Sequence, residues 1–113
     1  NISGDVDFPA NLDSVISVGA INYNFKKISG TSYGKIDFVG PGSNIIAPLP
    51  GNKYGYFGYT SAATAFVSGV VLNKISSYPD KNSYDFQDIY DELKKDVIPL
   101  GDNLKDGNGF VRN

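Results

Sequence analysis

Hydrophobic positions along the chain fall into short unbroken runs separated by polar, turn-rich stretches. Val15 to Ile21 (VISVGAI) is almost wholly apolar and rich in β-branched residues. Such a run predicts a strand buried on both faces, as in a parallel sheet covered by helices. Asn22 to Tyr33 is polar and carries lysines, so it reads as surface. Lys35 to Gly42 (KIDFVGPG) predicts a second short strand, stopped by Gly-Pro-Gly. Asn44 to Ile46 is a further extended piece, and the YGYF run (Tyr54 to Phe57) after a turn suits the returning strand of a hairpin that leads to Thr60.

The period then changes. From Ser61 to about Ser76, Ala62, Ala63, Ala65, Phe66, Val67, Val70, Val71, Leu72 and Ile75 cover most of a helix circumference. A helix apolar nearly all round is a buried one. Gly69 inside it costs ~1 kcal/mol against alanine, which implies close approach of another backbone. After the break at YPDKNS, Tyr84 to Lys95 is amphipathic, with Phe86, Ile89, Tyr90 and Leu93 on one face. Ser83 or Asp85 can cap this helix, and its acids come early and Lys94 and Lys95 late, as the helix dipole prefers. The tail DGNGFV (Asp106 to Val111) reads as a turn and a last short strand.

Composition narrows the function. At 113 residues, 41% of them hydrophobic and 19% charged, the chain has material for one globular core. Its net charge is −2, with lysines and arginine scattered. That pattern argues against nucleic acid and anionic membranes as partners, and no apolar run is long enough to span a bilayer. The first residue is Asn1, not Met, so a processed or excerpted piece of a longer product is expected. Cysteine and histidine are both absent, which excludes a Cys/His zinc site and a Cys-His nucleophile pair within these residues. Eight tyrosines, many Asn and Ser and few long charges lean toward an extracellular or cell-surface protein. The acids Asp85, Asp88, Asp91 and Glu92 read as a solvated helix face. No phosphate-binding glycine loop or dinucleotide fingerprint is present.

Chemistry concentrates in GYTSAATAFVSG (Gly58 to Gly69). Ser61 or Thr60 can cap the helix that follows. Alternatively, a serine hydroxyl at a helix amino terminus lies where N–H groups and the dipole favour developing negative charge, as a nucleophile requires. Five landmarks in series bear on the choice: Phe8-Pro9-Ala10, Val15 to Ala20, Tyr33-Gly34 with Asp37 and Pro41-Gly42, Thr60 to Gly69, and Gly107 to Val111. Their order and spacing over nearly the whole chain resemble the C-terminal part of subtilisin-like serine proteases, the subtilases. That family runs Tyr/Phe-Pro-Ala, VIxVGA, YG…VDxxAPG, GTSMAxPHVAG and GxGxV/I. The stretch from Phe8 to Gly19 is similar to the lantibiotic-leader peptidases of Gram-positive bacteria.

The resemblance implies an α/β fold: the C-terminal portion of a three-layer subtilisin-like domain, with a mostly parallel sheet and a buried central helix, incomplete by itself. It implies that Ser61 is the nucleophile and that its backbone N–H is one oxyanion donor. Thr60 supports the oxyanion pocket, and Asn1 is a candidate for the second donor beside the alternative of an ordinary loop residue. In the family the triad Asp and His precede the serine, so they are expected upstream of Asn1, in the same product or in a cleaved but associated chain. Peptide or protein substrates follow, and the segment alone is expected to be inactive. The resemblance also implies a weak cation place formed by carbonyls of Ala10, Leu12 and Val15 and the carboxylate of Asp37, a set suited to sodium or calcium. A solvated or capping Asp37 is the other reading, and no metal or cofactor is expected. The sequence departs from the family at Tyr59 (usually Gly), Ala62 (usually Met or Leu), Ala65 (usually Pro) and Phe66 (usually His). Tyr59, Ala65 and Phe66 motivate a rival reading, a non-catalytic scaffold or binding module. A small α/β domain unrelated to proteases is a third.

Overall fold

The computed structural model describes residues 4–112, apart from the side chain of Leu104. In chain order the elements are β1 (Val18–Ile21), β2 (Phe38–Pro41), β3 (Ile45–Leu49), β4 (Lys53–Phe57), α1 (Tyr59–Ser76), α2 (Phe86–Lys95), β5 (Val97–Ile98), α3 (Asn103–Asp106) and β6 (Phe110–Val111). One sheet has the strand order β1-β2-β6-β5. β1 and β2 are parallel, from Val18 opposite Phe38 to Ile21 opposite Pro41. β6 joins β2 in parallel and β5 closes the edge antiparallel. β3 and β4 form a separate antiparallel hairpin, from Ile45 opposite Phe57 to Leu49 opposite Lys53.

Side chains alternate across a strand, and β2 uses both faces. Phe38 joins Val67 and Val70 of α1, Leu93 of α2 and Val111 of β6 in one cluster. Its neighbour Val39 packs on the opposite side with Ile21 and Ile36. Two residues beyond Phe38, and so on its face, Gly40 lies under α1. A Cβ there would stand 2.8 Å from the Ala63 carbonyl oxygen, so glycine at this position lets the helix settle onto the sheet.

α1 starts at Tyr59, two residues before the expected Ser61, and ends at Ser76 as its pattern predicts. Ala63, Val67 and Val70 are its buried stripe. Among the described residues the other side of the helix is uncovered, with Leu72 65% exposed. Gly69, expected to meet another backbone, has nothing within 4 Å of its Cβ position. α2 begins with a reciprocal box that settles its cap on Asp85. The Asp88 N–H donates to Asp85 Oδ1 at 3.0 Å and the Asp85 N–H to Asp88 Oδ2 at 2.9 Å. Such caps stabilise by about 1 kcal/mol. Among the acids read as a solvated face, Asp85 and Asp88 thus hold backbone, Asp91 accepts from Gln87 and Glu92 pairs with Lys95.

Candidate active site

The amino terminus of α1 sits against the carboxyl ends of β1 and β2, the edge at which open α/β sheets collect ligands. Three glycines bring it there. At Gly42 a Cβ would lie 2.6 Å from the Ala20 Cβ and 2.8 Å from the Tyr59 carbonyl oxygen. At Gly58, the N-cap of α1, a Cβ would lie 2.9 Å from the Gly42 carbonyl oxygen. Gly40 makes the third approach, one turn further along the helix. The Tyr59 N–H completes the crossing by donating to the Gly42 carbonyl at 2.6 Å. The GPG stop and the GYTS run, 16 residues apart from Gly42 to Gly58 by number, are therefore two sides of one tight backbone contact.

Tyr59 has φ +60°, in the left-handed region where a Cβ costs roughly 1–2 kcal/mol. This is the residue that stands where the subtilase pattern has glycine. Beyond it, Thr60 is half-buried and Ser61, the third helical residue, is exposed. Neither caps the helix: Gly58 is the N-cap and no side chain bonds to the end. The capping reading of Ser61 and Thr60 is corrected accordingly. A cap must stand before the first turn, and an onset at Tyr59 puts both hydroxyls inside it. With Tyr59 N–H taken, no acceptor outside the helix is found for the N–H groups of Thr60 and Ser61 among the described residues. The first turn contains no acidic residue, so the positive end of the helix dipole is left unneutralised.

Two concavities flank this turn. Thr60 and Thr64 help line a cleft of about 440 Å³ with the Val6 to Ala10 loop and the start of β1. Tyr59 borders a second, about 580 Å³, with Asn22, Lys27, Tyr56 and Phe57. The Ser61 hydroxyl has no hydrogen-bond partner among the described residues, and the chain contains no histidine to serve as its base. Asn1 lies outside the described residues.

At the opposite, amino end of β1 and β2 the polar groups converge on Asp37. Its Oδ2 accepts from the Ser17 N–H at 2.7 Å and from Lys35 at 2.9 Å, and its Oδ1 accepts from the Tyr90 hydroxyl at 3.0 Å. The Ser17 hydroxyl lies 3.0 Å from the same carboxylate and 2.5 Å from the Lys35 carbonyl, with one proton to give. Burial alone would push this carboxyl up. The Ser17 N–H, the Lys35 ammonium and the Tyr90 and Ser17 hydroxyls outweigh burial and hold it below the usual aspartate range. Burial pushes the Tyr90 phenol up, and Asp37 adds to this against the Asn108 amide, so the hydroxyl keeps its proton.

The oxygens anticipated around a weak cation do converge, and what they surround is an ammonium. Lys35 Nζ donates to the carbonyls of Val15 at 2.7 Å, Leu12 at 2.8 Å and Ala10 at 3.4 Å, as well as to Asp37. Lys35 was missed in the sequence because it reads as an ordinary strand-edge lysine. The available signal was its spacing of two from Asp37, which puts both side chains on one face of an extended segment. Among the described residues no group of three His, Cys, Asp or Glu side chains is placed to hold a metal.

A serine presented on an open helix end, over the carboxyl edge of a mostly parallel sheet, is the arrangement of a subtilisin-like domain. The chain belongs to the subtilase family, peptidase S8, whose pattern matches residues 1–109. This overturns the reading of a small domain unrelated to proteases. Relatives include the intracellular serine protease of Paenibacillus polymyxa, 33% identical over 111 residues that make up 95% of this chain and 34% of that protein. Subtilisin amylosacchariticus of Bacillus subtilis subsp. amylosacchariticus is 33% identical over 110 residues, 96% of this chain and 28% of that protein. The chain thus spans about a third of the length of these relatives. Two solved structures share the fold at 24% identity. The prenylagaramide maturation protease PagA has a TM-score of 0.84 over 99% of this chain and 45% of its own. The self-cleaved protease domain of PatA has a TM-score of 0.76 over 93% and 41%. No helix among the described residues is long and apolar enough to cross a membrane.

Proposed function

We propose that this chain is the nucleophile-bearing, C-terminal portion of one subtilisin-like catalytic domain in a serine endopeptidase. Ser61 attacks the peptide carbonyl, and its own N–H stabilises the oxyanion, with Thr60 supporting that pocket and Asn1 the candidate second donor. A histidine from an upstream segment takes the Ser61 proton and returns it to the leaving amine, and an upstream aspartate orients the histidine. That segment is either continuous with this chain or a cleaved chain that stays associated. The carrying observation is the open first turn of α1, with an exposed Ser61, free N–H groups and no acid. The exposed side of α1 supports a missing companion, because Ala65, Ser68, Gly69 and Leu72 there are small or apolar and carry no charge, as suits a helix covered on that side. Substrates are peptides or proteins, and action at or outside the cell surface is part of the proposal, on the strength of a composition rich in tyrosine, asparagine and serine with few long charged side chains.

The departures that motivate a non-catalytic scaffold are absorbed without disturbing this turn. Tyr59 keeps the left-handed backbone that glycine permits, Ala65 is exposed, and Phe66 stacks on Phe110 at 6.1 Å between ring centres. Peptide hydrolysis by the full-length protein tests the proposal. Ser61→Ala should cost about 10⁶-fold in kcat, the loss known for removing a subtilisin nucleophile. Equal turnover by the two proteins rejects the role given to Ser61, and no turnover by either favours the scaffold.

A further inference from the structure

We infer that Lys35 is a tethered cation: its ammonium fills an oxygen cradle that, with the lysine side chain removed, would take a small monovalent alkali cation. The cradle consists of three backbone carbonyls and one carboxylate, the hard oxygen donors that such ions require. An ammonium has three protons, and here it faces four oxygens. Three lie at 2.7–2.9 Å and the fourth, on Ala10, at 3.4 Å. The oxygen set therefore exceeds what a lysine can use, as a set shaped around a sphere would.

The cradle is held by bonds that do not involve Lys35. The Val15 N–H donates to the Leu12 carbonyl at 3.1 Å and the Leu12 N–H to the Pro9 carbonyl at 3.1 Å, which orients the loop. Asp37 is fixed by the Ser17 N–H and the Tyr90 hydroxyl. Taking away the lysine therefore leaves four oriented oxygens carrying one negative charge. One monovalent ion balances that charge, whereas a divalent ion would leave an uncompensated positive charge among carbonyls. In the native chain the place is taken, so sodium, potassium or calcium does not bind between Ala10, Leu12, Val15 and Asp37.

The test is thermal unfolding of the full-length protein in sodium or potassium chloride against choline chloride at matched ionic strength, so that screening is constant. Lys35→Ala should lose several degrees in choline and regain most of them, saturably, with sodium or potassium. The wild type should not show this gain. Lys35→Met, which fills the space without charge, should lose stability and regain none. A Lys35→Ala protein indifferent to the choice of cation, or a wild type with the same gain, overturns the inference. Crystals of the wild type soaked in thallium(I) provide a second measurement that needs no variant. Lysine nitrogen density without an anomalous peak in the cradle supports the inference, and a thallium peak there overturns it.

Discussion

At the amino ends of β1 and β2, Asp37 collects donors from a strand edge, a lysine and α2, and Asn108 ties the Tyr90 hydroxyl back to the Asp37 carbonyl. At the carboxyl ends of the same strands, Gly42 and Gly58 press α1 into place, Tyr59 sits at φ +60°, and Ser61 stands exposed with no hydrogen-bond partner among the described residues. The two ends use their polar groups differently. One spends its polar groups on each other, and no buried side-chain nitrogen or oxygen among the described residues lacks a hydrogen bond. The other keeps a hydroxyl, N–H groups and a helix dipole available. On the proposed role of Ser61, stability and chemistry fall to opposite edges of one short sheet, which would keep the donors of the site free without loosening the strands that position them.

The contrast predicts different responses to substitution at the two ends. The largest effect on stability should come from Asp37→Asn, which leaves the Lys35 ammonium without its counter-charge and presents a donor to the Ser17 N–H. A loss of about 2 kcal/mol is expected from urea unfolding of the full-length protein, and an unchanged midpoint would break the comparison. The same residue sets a pH response. The folded carboxyl titrates below its unfolded value of about 3.9. Its contribution is therefore complete above pH ~4 and is lost as the pH falls through the lower folded value. Melting temperatures of wild type and Asp37→Asn should converge toward the acid end of that window. A constant gap between them assigns the stabilisation to something other than charge. The smallest effect belongs to the open end. Tyr59→Gly relieves the left-handed strain but adds freedom to the unfolded chain, for a net gain of at most about 1 kcal/mol. A clear loss in the same unfolding measurement would mean that the tyrosine ring, 64% exposed, supports the turn.

Much of this was legible in the residues. The nearly unbroken run at Val15 to Ile21 marks a strand buried on both faces, α1 is marked by apolar residues round most of its circumference, and α2 by a single apolar face at helical spacing. The strand at Val18 is shorter than its run because Ser17 gives its N–H to a side chain, Asp37, so the chain joins the ladder only at Val18. Hydropathy does not carry that information. β5 at Val97 and α3 at Asn103 went unread because two-residue strands and four-residue helices lack a full period. The helix that carries Ser61 was legible in its apolar residues, while the geometry of its first turn rests on glycines at positions 40, 42 and 58 that look like separate turn signals until the backbone brings them together. The Lys35 cradle depends on carbonyls, which no side-chain pattern reports.

The central claim is that the open end of α1 presents a reactive Ser61 once the full domain is assembled. Fluorophosphonate labelling of the full-length protein, read by peptide mapping beside a Ser61→Ala control, tests it most directly. The account predicts one adduct, on the peptide that contains Ser61, absent from the control. A folded full-length protein that takes no label at Ser61, or labels equally in the control, would contradict it.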